Sequence, residues 1–366
     1  MMNANVAVPK SGHQRLAGLD ALRGLAAVAV VLFHYTTGYQ RFFDSSGSHP
    51  LFTLPSGCFG VQLFFCISGF VILRTLERTG SIKNFAIARF ARLYPAYCAC
   101  ALITLAVIAV SHVHLSDLTP QAVAINATML ALLVGAPRID PSYWTLTYEV
   151  LFYAAAALIW FRVRPGRRLE GPCLVWLACS LVGHLVDSIN RHTRLATLIN
   201  IDYANLFVLG MMLHYITKGS RSRLTIPTFY AALLLALFPP AASGAGVSLF
   251  RIKFTFMIAV FCALIWLAAD DRRRFLHFRP LIFLGEISYS LYLIHQIVGY
   301  AVIRVLLSAG LEINAALALT LTFVIGLAYC LRMFVEKPAE RWIKNFARSA
   351  RGSSLLSQSA AASSRS

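Results

Sequence analysis

The sequence predicts an all-α, polytopic integral membrane protein with about ten transmembrane helices, and three observations lead there. The 366 residues are 58% hydrophobic and only 13% charged, whereas soluble domains are roughly 45–50% apolar and about 25% charged. Apolar runs of about 17–25 residues, the length that crosses a bilayer, recur from Leu19 to Val335. The bases gather between those runs, as the positive-inside rule expects of cytoplasmic loops. A membrane barrel would instead show short alternating segments. The net charge of +18 therefore reads as topology, and no nucleic-acid groove is expected.

The runs open near Leu19, Phe59, Tyr94, Gln121, Ser142, Pro172, Ile201, Ile226, Ile252, Leu281 and Asn314. Charge removes one of them. Arg74, Arg78, Lys83, Arg89 and Arg92 follow the second run, which makes that loop cytoplasmic. If 121–136 also spanned, Arg162, Arg164, Arg167 and Arg168 would fall outside the cell. If 121–136 is a short re-entrant or interfacial helix, the basic clusters at 162–168, 218–223, 272–279 and 337–351 all fall inside. Residues 1–15 are then a cytoplasmic tail, 16–345 the transmembrane domain and 346–366 a Ser/Ala-rich disordered cytoplasmic tail. Both termini face the cytoplasm of a cell inner membrane. Lys10 and Arg15 precede the first run, but no small-residue cleavage site follows it, so it is read as a span and not a signal peptide. No stretch outside the spans is long enough for a soluble catalytic core.

The eight cysteines lie mostly inside apolar runs and have no zinc-type spacing with histidines, so no metal site is expected. Ionisable residues inside spans are a different matter, since each is costly there. Asp187, Asp202, His214, Arg304 and Arg332 sit near span ends and are read as snorkelling. His184 and Glu286 are also candidates. Arg23 and His34 lie in "ALRGLAAVAVVLFHY", eleven residues apart. At roughly 100° per residue they share one helix face, separated by about 16 Å along the axis. His34 and Glu149, in "SYWTLTYEVLFY", fall at one depth. A histidine and a carboxylate at one depth make a base with an orienting partner. They also fit a transporter's proton relay, or structural hydrogen bonds between helices.

Arg89 and Arg92, in "NFAIARFARLYPAY", share a face where a cytoplasmic loop enters the third span. Two guanidiniums there suit a polyphosphate, and ordinary topological charge is the plainer reading. "LGEISYSLYLIHQ" places Ser288, Tyr292 and His295 on one polar stripe. The stripe is a weaker candidate for lining a substrate channel, and interhelical hydrogen bonding is its alternative. Ser68 and Gly69, in "GVQLFFCISGF", offer either close helix packing or backbone access for a substrate.

Six segments, "LDALRGLAAVAVVLFHY", "GVQLFFCISGF", "RFARLYPAY", "YWTLTYEVLFY", "ISYSLYLIHQ" and "VEKPAERW", together resemble the acyltransferase-3 family of membrane acyltransferases. They occur in the family's order from Leu16 to about Trp342. The resemblance implies an acyl-CoA donor, acetyl-CoA first, used from the cytoplasm. It implies a catalytic role for His34, supported by Glu149, and handling of acyl-CoA by Arg89 and Arg92, with Arg23 joining them. Ser68 matches its family motif. The implied acceptor is a hydroxyl of a surface carbohydrate or its lipid-linked precursor, with a macrolide-like metabolite second. The chain resembles the stand-alone type without an SGNH hydrolase-like domain, which leaves open a separate periplasmic protein that takes the acyl group. A proton-coupled transporter is the rival class.

Overall fold

A computed structural model describes residues 16–43, 49–111, 113, 117–162, 168–185, 194–238, 247–270, 278–347 and 349. The tail 1–15, Asp187, the loop bases Arg164, Arg167, Arg191 and Arg272, and the chain from residue 350 lie outside the described residues.

Ten principal helices run in order: α1 Ala17–Phe43, α2 Gly60–Arg78, α3 Ile82–Ser111, α4 Trp144–Arg162, α5 Glu170–Leu185, α6 Ala204–Thr217, α7 Thr225–Leu235, α8 Val247–Ala268, α9 Arg279–Ser308 and α10 Ile313–Ala347. Among the described residues, seven helices are long and apolar enough to cross a membrane, and α5, α6 and α7 are shorter apolar helices. No strand occurs among the described residues. Leu102, Val110, Val175, Phe256 and Phe323 present apolar side chains outward, as lipid contact requires. α10 reaches Ala347, just past the start of the segment read as a tail.

Residues 120–136 do not form a span. They hold two short helices, Pro120–Asn126 and Ala131–Val134. Thr119 caps the first, accepting from Ala122 N at 3.2 Å, and Pro120 stands where a missing N–H costs nothing. Asn126 is buried and organises the rest. Its amide donates to Ala122 O and Pro137 O, each at 2.8 Å, and accepts from Ile139 N. A buried Asn must satisfy its donors and its acceptor, and this one does so with backbone alone.

The bundle centres on α1 against α9 and on α2 against α6. Both contacts are set by glycines. A Cβ at Gly24 would strike Leu281 O, and one at Gly285 would strike Asp20 O. Gly69 and Gly210 press on Phe207 O and Cys66 O in the same way. Without a hydrophobic drive between helices in lipid, such backbone approach is what packing offers. Gly69 is therefore a packing residue.

Two of the expected snorkelling residues are partnered inside the protein. His214 is buried, with Nε2 3.0 Å from Glu77 Oε2. Arg332 is buried and donates to Glu336 at 2.6 Å. Each found a carboxylate from its own bundle, which a position near a helix end does not reveal.

Candidate functional site

α1 is regular α-helix from Ala17 to Leu32, then widens into a π-helical turn, Phe33–Gly38. The regular part carries Arg23 in phase almost to His34. Thr36 in this turn ties α1 to the chain before the second span. Thr36 Oγ1 donates to Leu32 O at 2.7 Å and accepts from Leu54 N. Such turns inside α-helices are frequent at functional sites.

Arg23 of α1, Ser68 of α2, Arg89 and Arg92 of α3, Glu149 and Tyr153 of α4, and Ser288 and Tyr292 of α9 line one cavity. Its empty space is about 760 Å³, open mouth included. Three guanidiniums face one carboxylate, so the cavity favours an anion. Nε of Arg23 and Nε of Arg89 are buried without a hydrogen-bond partner. Buried donors are ordinarily satisfied, and their orphaning marks a place where a ligand or water belongs. The Arg89 guanidinium lies over the Phe85 and Tyr153 rings, 5.8 and 5.9 Å from their centroids. The Arg92 guanidinium lies 5.8 Å over Tyr289.

Arg92 is anchored from behind by Glu336, which sequence reasoning quoted in a motif without assigning it. Glu336 is fully buried. It pairs with both Arg92 and Arg332 and accepts from Ser290 Oγ at 3.0 Å. A second π turn, Arg332–Glu336, carries it.

Glu149 accepts from Ser68 Oγ at 3.0 Å and from the Tyr153 hydroxyl. His34 meets other groups: Nδ1 stands 3.3 Å from the Tyr300 hydroxyl, and its ring centroid is 5.0 Å from that of His295. No hydrogen bond joins Glu149 to His34 among the described residues. Equal depth along two helices does not make them lateral neighbours, and α9 supplies the groups against His34.

His295 is fully buried. Its Nδ1 stands 2.7 Å from Tyr292 O, and its Nε2 has no partner. Tyr292 joins the two halves of the site. Its ring lines the cavity and lies 5.6 Å from the His295 ring. Its hydroxyl is committed to Ser142 O and Thr145 Oγ1, each at 2.9 Å.

The backbone of α9 beside His295 is held by side chains from outside the helix. Tyr35 donates to His295 O at 2.9 Å and Tyr143 to Leu293 O at 3.1 Å. Asp140 accepts from Ile297 N at 3.1 Å and from Ser142 N at 2.8 Å. Burial pushes the Asp140 carboxyl up to about 6, against the lowering effect of these hydrogen bonds. Sequence reasoning missed Asp140 and Tyr300. Asp140–Pro141 was readable as a helix cap, but nothing in the sequence points it at α9. No group of three His, Cys, Asp or Glu side chains that could hold a metal ion occurs among the described residues.

A family model described as an acyltransferase domain matches residues 16–333. The chain belongs to the acyltransferase-3 family. This family member is similar to Nodulation protein 10 of Rhizobium leguminosarum bv. viciae, 24% identical over 81% of this chain and 85% of that one. It is similar to acyltransferase MdmB of Streptomyces mycarofaciens, 28% identical over 47% of this chain and 45% of that one. It is also similar to Protein 2 in picA locus of Rhizobium radiobacter, 38% identical over 24% of this chain and 43% of that one. The matches to MdmB and to the picA-locus protein thus span under half of those relatives. No solved structure matches this acyltransferase-3 chain.

Proposed function

We propose that the protein is an inner-membrane O-acyltransferase that moves an acyl group, acetyl first, from cytoplasmic acyl-CoA to a hydroxyl. The acceptor is a cell-surface carbohydrate or its lipid-linked precursor, the domain at 16–345 carries the acyl-CoA and His34 sites, and both termini lie in the cytoplasm. The observation that carries the reading is the pair of buried, unpartnered guanidinium nitrogens on Arg23 and Arg89. They lie in a cavity built partly by the helix that bears His34, about 16 Å further along.

In this reading Arg23, Arg89 and Arg92 take the CoA phosphates through charge-assisted hydrogen bonds. The pantetheine arm runs past Ser68 and Tyr292 toward His34. A sugar hydroxyl is a weak nucleophile, and His34 removes its proton as the oxygen attacks the thioester carbonyl. The new C–O bond forms, the C–S bond breaks, and the proton passes to the departing CoA thiolate. Glu149, held by Ser68 and Tyr153, balances part of the guanidinium charge.

The test incubates membranes with labelled acetyl-CoA and extracted cell-envelope glycans. Wild type is expected to label a glycan and release one CoA per acyl group, and His34→Ala to do neither. Equal transfer by His34→Ala would sink the catalytic assignment. Proton flux that depends on His34, with no CoA release, would favour the transporter class.

A further inference from the structure

We propose that His295 is the positioning partner of His34: its Nε2 accepts an N–H from the His34 imidazole and holds that ring in the protonation form that leaves Nδ1 as the base. The inference rests on the acyl-transfer reading above and deepens it, since that reading left the catalytic imidazole without a partner.

Tautomer logic comes first. His295 Nδ1 lies 2.7 Å from the carbonyl oxygen of Tyr292. A carbonyl only accepts, so Nδ1 carries the proton and Nε2 of neutral His295 carries a lone pair. That lone pair sits on a fully buried side chain with no partner. A buried acceptor left without a donor is costly. Two rings lie against His295, those of His34 at 5.0 Å and Tyr292 at 5.6 Å. The Tyr292 hydroxyl already donates to Ser142 O and contacts Thr145 Oγ1. Of these two rings, His34 is the one with an N–H left to offer.

The second argument is rigidity. Three side chains bond the α9 backbone on either side of His295: Tyr35 at His295 O, Tyr143 at Leu293 O and Asp140 at Ile297 N. A helix backbone satisfies itself, so three outside partners within five residues fix where the His295 ring stands. Orienting a catalytic imidazole needs such a fixed acceptor, a role a carboxylate fills in a catalytic triad. With the N–H given to His295, His34 Nδ1 faces the Tyr300 hydroxyl at 3.3 Å. A substrate hydroxyl displacing that contact gives its proton to Nδ1, and the resulting imidazolium keeps its N–H bond to His295. The same proton later leaves Nδ1 for the CoA thiolate, so His295 ends the cycle unchanged.

Two substitutions test this in full-length protein. His295→Asn keeps an amide N–H near the Nδ1 position and removes Nε2. His295→Gln returns a hydrogen-bond acceptor near Nε2. The expected result is a fall in kcat of about a hundredfold for His295→Asn with the acyl-CoA KM unchanged, and partial recovery of kcat in His295→Gln. Unchanged kcat in His295→Asn would overturn the proposal. So would a loss confined to KM, which would make His295 only a channel wall. If His295→Asn does not fold, wild type labelled with ¹⁵N-histidine decides. A coupling across the hydrogen bond between His34 and His295 Nε2 is expected, and its absence would overturn the proposal. Wild type without transfer would sink the parent reading and this proposal together. Transfer that needs His34 but not His295 would remove this proposal alone.

Discussion

Arg92 and Arg332 share one buried carboxylate, that of Glu336. Replacing Glu336 with Gln leaves two guanidiniums side by side in a buried setting. Breaking such a pair from one side costs about 3–5 kcal/mol, and thermal unfolding in detergent is expected to show a large drop for Glu336→Gln. Joint Arg89→Lys and Arg92→Lys keeps both charges but loses the planar fork. The apparent acyl-CoA KM is then expected to rise roughly tenfold, equivalent to about 1.4 kcal/mol, and a steady-state titration of donor would read it. An unchanged KM would count against phosphate binding there. The sequence named Arg23, Ser68, Arg89, Arg92, Glu149 and Tyr292, and the fold puts all six around one cavity. It named His295 without placing it against His34, and it did not name Tyr300. Depth is legible because each helical residue adds a fixed rise. Which helix stands beside which is decided by packing between segments far apart in the chain, and His34 meets a residue 261 positions on.

Among the elements, α1 and α9 were legible as long apolar helices. The two π turns, at Phe33–Gly38 and Arg332–Glu336, were not. A π turn has no residue signature of its own. The hydroxyl of Thr36, in the first of them, bridges Leu32 O and Leu54 N. Thr36→Val keeps the shape and removes both bonds. It is expected to lower acyl transfer with little change in the amount of folded protein, which paired activity and thermal-unfolding measurements would separate. The glycine contacts make a stability prediction. Gly285→Ala places a Cβ on Asp20 O. Overpacking of this kind costs about 1–3 kcal/mol, to be read as a lower unfolding temperature. Gly326→Ala, where an added Cβ meets nothing within 4 Å, is the matched control.

At the scale of the molecule, the charge bias told 121–136 apart from the spans, and the structure gives that stretch two short helices around Asn126. Loop charge works as a guide because it records which side each segment faced during insertion. It says nothing about the order of helices around the bundle, so the central α1–α9 and α2–α6 pairs had to be seen. The α1–α9 pair has a further consequence. α1 carries Arg23 at the anion cavity and His34 about 16 Å further along, and α9 carries Ser288 and Tyr292 at the cavity and His295 beside His34. Glycines lock the two at Gly24, at Gly285 and again at Gly299 beneath Tyr35. The pair is thus a ruler of about 16 Å with no slide. A donor gripped by its phosphates reaches the imidazoles only if its arm is long enough. Acetyl phosphate, whose acyl group sits directly on the gripped phosphate, is expected to bind and compete but never to transfer. Measurable acylation from it would mean that the grip and the chemistry share one place.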